Sequence, residues 1–454
     1  MVGLGTLVVP MDTSVNVAFP YIIEHFGLPI SAIQWVVIAY VLTHASLMLI
    51  FGRIGDIFGH RRVFLFGSAW SAGAFLICAL APSYPWLLAA RALQGVGAAM
   101  LLSCGAAIAT GLFAEHQRAR VLGIYTMMFG LGSALGPPVA GLLVAEWGWS
   151  AVFTFRMPIC VIAFALVWLL PEMPRSEVRE SFDGAGALLF VVAVSAGLLA
   201  LNELQDLKQG VVPLFLLAGV AGLAAAGFIR REHSIDRPLI DLQYFRDGSF
   251  SLANLGNTVV NLGGFSVMLL MPFYLARTAE LSAPAFGAVL AASATGTMVV
   301  APLAGWLSGR ISPHRLLLLG TLLVACGLAA LGFFSAGGNM VILVAAMAVQ
   351  GIGLGIFQVA YFEIVTGTLP QKARGVAGSL GMMTRTLGVV SGASLLMLVF
   401  ESLRGAALTQ DAEGAFLAGL QGTFLFAAGL CTALLLAALW RGWLRDPVRP
   451  AVRR

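Results

Sequence analysis

Six ionisable residues fall in long apolar stretches of this chain: Asp12, His44, Arg91, Glu363 and Arg385, with Arg156 near the end of one. Charges are costly in low dielectric, so each is a functional hypothesis by default. Asp12 stands about ten residues into the first apolar run, about 15 Å deep by helix rise. A carboxylate at that depth suits reversible proton binding; the other reading is permanent pairing with an arginine or with backbone groups. Arg91 lies too deep for a side chain that only snorkels. Glu363 and Arg385 are expected to form an ion pair, either as a gate or as plain charge neutralisation. Uncharged polar residues in the same stretches are Asn16, Gln34, Asn254, Asn257, Asn261, Gln350 and Gln358, which with His44 are candidates for lining a cavity. Asn254, Asn257 and Asn261 share one helix face, which must point at protein or water rather than lipid. A packed polar seam and a substrate contact both fit.

Other chemistries lack their residues. The cysteines (Cys78, Cys104, Cys160, Cys326, Cys431) lie in apolar runs without metal-ligand spacing, so they read as core fillers, with no disulfide framework and no metal site expected. The histidines are scattered and supply no positioned base, so an enzyme is not expected, nor a cofactor. Neither Lys208 nor Lys372 lies in a phosphate loop, so ATP is not expected to drive the chain.

The elements that must position these residues are set by composition. Of 454 residues, 59% are hydrophobic and 10% charged, with a mean hydropathy of +0.93. Soluble chains carry about 25% charged residues, so this is an integral membrane protein. Its apolar runs reach about 20 residues without alternation, the signature of spanning helices rather than barrel strands. Fourteen spans are expected, from near Val2 to near Trp443. No basic flank precedes the first run and Asp12 interrupts it, so it is expected to be a span rather than a cleaved signal. With the N-terminus inside, 20 of the 26 Lys and Arg fall on inner loops and tail and three on outer loops. The positive-inside rule then places both termini in the cytoplasm. The net charge of +5 is topogenic; nucleic acid is not an expected partner.

The chain repeats itself. Gln94-Gly95-Val96-Gly97 recurs as Gln350-Gly351-Ile352-Gly353, and Leu131-Gly132 as Leu387-Gly388, both at an offset of 256 residues. That offset exceeds half the chain, so a segment lies between the copies. The expected organisation is an all-α membrane fold with one six-helix bundle at 1–170, two linker helices with cytoplasmic loops at 171–249, and a second six-helix bundle with a short basic tail at 250–454. Parallel repeats that rock around a midplane site are a recurring plan of secondary transporters.

The motifs spell out a family. Gly52-Arg53-Ile54-Gly55-Asp56-Ile57-Phe58-Gly59-His60-Arg61-Arg62 resembles the loop between spans two and three of the major facilitator superfamily, and Arg91-Ala92-Leu93-Gln94-Gly95-Val96-Gly97 its span-four motif. Gly132-Ser133-Ala134-Leu135-Gly136-Pro137-Pro138-Val139-Ala140-Gly141 looks like its antiporter motif. Asp12-Thr13-Ser14-Val15-Asn16-Val17-Ala18-Phe19-Pro20 and Arg237-Pro238-Leu239-Ile240-Asp241-Leu242 are similar to motifs of the fourteen-span drug:proton antiporter branch. The resemblance implies that Asp12 and Arg91 couple protons and that Gly52, Asp56, Gly59, Arg61 and Arg62 latch a cytoplasmic gate. It also implies that Gly132, Gly136, Pro137 and Gly141 form a bendable contact preventing proton leak. The residues alone establish less: a stable hairpin, a close helix contact and a hydrogen-bond anchor at Arg91. Ser150 and Arg156 stand where the family commonly has Arg and Asn, and the stretch from Asp12 to Pro20 is one residue shorter than usual. A narrower exporter would share every other feature.

The expected function is proton-driven export, by antiport and alternating access, of apolar or amphiphilic organic compounds, including a cation neutralised by Asp12. Proton-coupled import, a dedicated single-substrate exporter and a non-transporting sensor are the alternatives. The expected partners are a small organic substrate, protons and the lipid bilayer of the cell membrane, with the chain as a monomer.

Overall fold

A chain crossing hydrocarbon must satisfy its backbone polar groups internally, and helices do so within one segment. A computed structural model describes residues 2–111, 118–170, 183–203, 211–235, 242–277, 281–308, 310–335, 338–368, 374–407 and 412–443. Every regular element among them is helical.

The first run is broken. Helix α1 (Val2–Leu7) gives way to a 3-10 turn (Pro10–Thr13) and then to α2 (Ser14–Phe26). Pro10 lacks an N–H and its ring crowds the preceding turn. The backbone there tightens to three-residue hydrogen bonds, with Val9 N donating to Thr6 O (3.2 Å) and Asp12 N to Val9 O (3.0 Å). Asp12 therefore stands at a break rather than inside a regular helix.

Next come α3 (Ile33–Phe58), α4 (His60–Ala79), α5 (Tyr84–Gly111), α6 (Arg118–Trp147), α7 (Ala151–Thr154) and α8 (Arg156–Trp168). Two helices follow, α9 (Gly184–Glu203) and α10 (Val212–Ser234). The remainder holds α11 (Gly248–Arg277), α12 (Ala283–Ser308), α13 (Pro313–Gly332), α14 (Met340–Thr368), α15 (Arg374–Ala406) and α16 (Ala412–Trp440).

Among the described residues, twelve helical stretches are long and apolar enough to cross a membrane. Helices α6 and α9 stand at the expected fifth and seventh spans but are not among those twelve, and the apolar part of α9 (Gly184–Gly197) is short for a full crossing. Helix α10 exposes Val212, Phe215, Leu216 and Leu223, as suits a helix facing lipid. The motif expected before span nine falls mostly at Arg237–Asp241, which lies outside the described residues.

The chain divides into two compact units, Met1–Val191 with Glu280–Ala291, and Val192–Ala279 with Ala292–Arg454. In the first unit α5 packs on α3 and α4, α8 on α4, and α1 and α2 on α6. In the second, α14 and α16 pack on α13, and α15 on α11. Shifted by the sequence offset, the α4–α5, α4–α8 and α2–α6 contacts become α13–α14, α13–α16 and α11–α15. One scaffold is used twice.

Candidate functional site

In the first unit the break in the first span delivers Asp12 to two arginines. Its Oδ1 accepts from Arg91 Nη1 (2.7 Å), Arg156 Nη1 (2.8 Å) and Gln94 Nε2 (2.9 Å), and Oδ2 accepts from Arg91 Nη2 (2.7 Å). Each guanidinium is fixed from behind, Arg91 Nε donating to Val36 O (3.0 Å) and Arg156 Nε to Val152 O (2.9 Å). Arg91 Nη1 also donates to Gln94 Oε1 (2.7 Å). Aromatic faces hold the planes: Arg91 lies 4.4 Å over Tyr40, and Arg156 4.5 Å over Phe75. The arginine side chains are 2% and 0% exposed and the carboxylate 15%, so the carboxylate is the accessible corner of the cluster. Arg156 Nη2 is buried and has no hydrogen-bond partner among the described residues. Two guanidiniums share one carboxylate, and the cluster carries a net positive charge.

Helix α6 holds the break in place. A Cβ on Gly132 would strike Leu7 O, and one on Gly136 would strike Thr13 Oγ1 and come within 3.2 Å of Met11 O and Ser14 N. Only glycine lets α6 come this close. Thr13 Oγ1 donates to Ser133 O (3.1 Å), tying the residue after Asp12 to α6. One turn on, a Cβ on Gly141 would meet Ala283 O at the start of α12, and Gly287 abuts Pro137 O.

The other candidates of this unit, Asn16, Gln34 and His44, are buried. The His44 ring lies 5.1 Å from that of Tyr40, the ring over which Arg91 lies.

Among the described residues, the second unit buries polar groups without this charge cluster. Asn257 Nδ2 donates to Gly381 O (2.9 Å) and Thr384 Oγ1 (2.8 Å), and its Oδ1 accepts from Asn261 (2.9 Å) and Gln358 (3.1 Å). Tyr361 Oη donates to Asn254 Oδ1 (2.9 Å). The three asparagines of α11 thus join α14 and α15 through a network centred on Asn257. Gln350, the repeat partner of Gln94, accepts from Ser293 Oγ (2.6 Å). The sequence offset places Met347 opposite Arg91, so the glutamine persists and the charge does not.

The family model of the Major Facilitator Superfamily matches residues 2–393 and again 253–454. The chain belongs to this superfamily. The riboflavin transporter RibZ of Clostridioides difficile is 28% identical over 95% of this chain and 94% of its own length. The multidrug resistance protein Stp of Mycobacterium tuberculosis is 29% identical over 91% of this chain and 77% of its own. The methylenomycin A resistance protein of Streptomyces coelicolor is 30% identical over 91% and 89%. Among solved structures, an inward-facing, occupied bacterial homolog of the human lysosomal transporter Spinster superposes with a TM-score of 0.71 at 17% identity, covering 99% of this chain and 97% of that one. An auto-inhibited POT family peptide transporter gives 0.72 at 17% identity, over 100% and 97%. The chain is therefore a multi-pass membrane transporter and not an enzyme.

Within this superfamily fold, the loop between α3 and α4 is shorter than its motif suggests. Only Gly59 joins the two helices, at φ +98°. Gly52 and Gly55 lie inside α3, where a Cβ on Gly55 would meet His60 Nδ1 and Cys104 Sγ. Asp56, which the motif sets in the loop between spans two and three, belongs instead to the last turn of α3, because the helix continues to Phe58; its side chain lies outside the described residues. Arg61 Nε donates to Val167 O (3.2 Å) and its Nη2 to Trp168 O (2.5 Å), capping the negative end of α8. Arg62 extends from the first turn of α4. Glu363 is half-buried on α14; Arg385 lies on α15.

Sequence reading underrated two members of the cluster. Gln94 follows Arg91 by three residues, so both stand on one face of α5. Arg156 is expected near a span end, yet α8 begins with it and turns it inward.

Proposed function

We propose that this transporter is a proton-coupled exporter of small apolar or amphiphilic organic compounds, working by antiport in the fourteen-span drug:proton antiporter branch. The carrying observation is the part-buried carboxylate at a helix break, held by arginines from two other helices. Alternating access requires that proton binding change which helices are held together. Protonating Asp12 would remove the counter-charge of Arg91 and Arg156 at once, loosening the first span from α5 and α8. Deprotonation would restore the clamp. The glycines of α6 keep the break against its neighbour while this happens.

The names of relatives that align over most of the chain, multidrug resistance protein Stp and the methylenomycin A resistance protein, support export. In this proposal α6 and α9 complete fourteen spans, both termini are cytoplasmic, the membrane is the cell membrane and a monomer is sufficient. Glu363 and Arg385 pair as a gate in some state of the cycle, and the loop at Asp56, Arg61 and Arg62 latches the cytoplasmic side. A dedicated carrier is the second reading, favoured by the alignment of the riboflavin transporter over 95% of the chain.

Everted vesicles energised by respiration, with lipophilic fluorescent dyes, test the proposal. Accumulation that an uncoupler abolishes, and that Asp12→Asn at matched expression lacks, is the expected result. Dye movement unaffected by either would sink the coupling role, and no movement of any dye would favour the dedicated carrier.

A further inference from the structure

Charge and donor bookkeeping around Asp12 leave one arginine half used. A guanidinium presents a fork of parallel N–H groups that matches a carboxylate two-to-two. Arg91 uses its fork this way, Nη1 and Nη2 each 2.7 Å from one oxygen of Asp12. Arg156 places only Nη1 on Asp12, and its fully buried Nη2 has no hydrogen-bond partner among the described residues. The oxygen it shares, Oδ1, already accepts three donors. Asp12 cannot satisfy the second fork without releasing the first.

Among the described residues, the ion pairs of Arg91 and Arg156 are both with Asp12. Among the described residues of the first unit, Glu24 and Glu146 are exposed at helix ends, and the buried Asp183 is at the start of α9, accepting from Gly186 N (3.0 Å). A buried excess cation with an unused donor pair calls for an anion from outside the chain. It would arrive beside Asp12, the accessible corner of the cluster.

We infer that Arg156 is a substrate-binding residue, whose free Nη2 prong receives an acidic group, a carboxylate or an equivalent oxyanion, on the transported compound. This rests on the transport reading above and narrows it. The preferred cargo is an amphiphilic organic acid rather than a lipophilic cation, which the net positive cluster repels. The anion takes the one prong that Asp12 leaves unmade, and the aromatic faces of Phe75 and Phe153 beside Arg156 suit an apolar body.

The test is equilibrium binding to purified protein, without a gradient, of three probes with one fluorophore: dansylglycine, dansylglycinamide and dansyl-ethylenediamine. They present an anion, a neutral amide and a cation. Dansylglycine is expected to bind at least about tenfold more tightly than the amide, a difference of about 1.4 kcal/mol, with the amine weakest. Arg156→Gln should erase the preference and Arg156→Lys should keep part of it. Equal binding of the three, preference for the amine, or an acid preference unchanged in Arg156→Gln would overturn the inference. Thermal stability covers the case in which no dansyl probe binds. Benzoate should raise the melting temperature of wild type and not of Arg156→Gln, and no benzoate effect, or an equal effect of chloride, also overturns it. Because no gradient is present, the two readings fail separately. Acid preference without proton-driven transport removes the coupling proposal alone. Proton-driven dye export without acid preference removes this inference alone.

Discussion

Removing Asp12 should destabilise the protein, and removing Arg156 as well should partly restore it. Asp12→Asn keeps the shape of the side chain but leaves two guanidiniums, 2% and 0% exposed, without a counter-charge. Stripping one partner from a buried pair costs about 3–5 kcal/mol, and the partial exposure of the carboxylate puts the figure near the lower end. Arg156→Gln alone loses one charged hydrogen bond, worth about 1.5–3 kcal/mol. It also removes a stranded donor and the excess charge, so its net cost is about 1 kcal/mol or less. In the double variant a single guanidinium is stranded, for about 2 kcal/mol, whereas additivity would demand about 4. With an unfolding entropy of about 2.1 cal/mol/K per residue, 454 residues give a shift of about 1 °C per kcal/mol. Thermal melting followed by tryptophan fluorescence should therefore show a loss of about 3 °C for Asp12→Asn and about 2 °C for the double variant. A double variant that loses as much as the sum of the single losses or more, within the roughly 0.5 kcal/mol expected of independent sites, would refute the shared-charge reasoning.

Three further outcomes follow from the geometry. Gly136→Ala pushes a methyl into Thr13 Oγ1 and the backbone of the break, and should cost about 1–3 kcal/mol and most of the transport rate. Gly73→Ala, with nothing within 4 Å, is the control, and equal transport by both variants would remove α6 from the account. Asn257→Leu strands partners on Asn261, Gln358 and Thr384; melting should fall by about 3–9 °C at about 1–3 kcal/mol per stranded buried group, and an unchanged melt would exclude the packed-seam role. Arg61→Gln uncaps α8 at Val167 and Trp168, with an expected cost of about 0.5–2 kcal/mol; a melt shifted by less than about 0.3 °C would show that the cap contributes nothing.

How far the sequence revealed this arrangement depended on whether the signal was local. Helical spans, the superfamily and the internal repeat came from run length, glycine-rich motifs and a common offset, all of which survive without coordinates. Asp12 and Arg91 stood out because charge is rare in apolar runs. That they meet was not legible, because 79 residues separate them and only packing closes that gap. Arg156 was hidden more deeply. It looked like a residue at a membrane surface, whereas the short α7 sets the start of α8 so that the side chain turns towards Asp12. The loop glycines misled in the opposite way. Gly52 and Gly55 suggest a turn, yet a helix tolerates glycine where it needs close packing, and only Gly59 adopts a conformation that side chains avoid. The asparagine face of α11 was visible as spacing, but its role as a network centred on Asn257 needed Thr384 and Gln358, more than 100 residues away.

The central claim is that Asp12 carries the proton exchanged for substrate. Its most direct measurement is proton flux in liposomes containing the purified transporter and a trapped pH-sensitive dye, started by adding a transported compound. Wild type should move protons opposite to the substrate, at a rate that saturates with substrate. Asp12→Asn should bind substrate but move no protons. Substrate-driven proton flux in Asp12→Asn equal to that of wild type would contradict the claim outright.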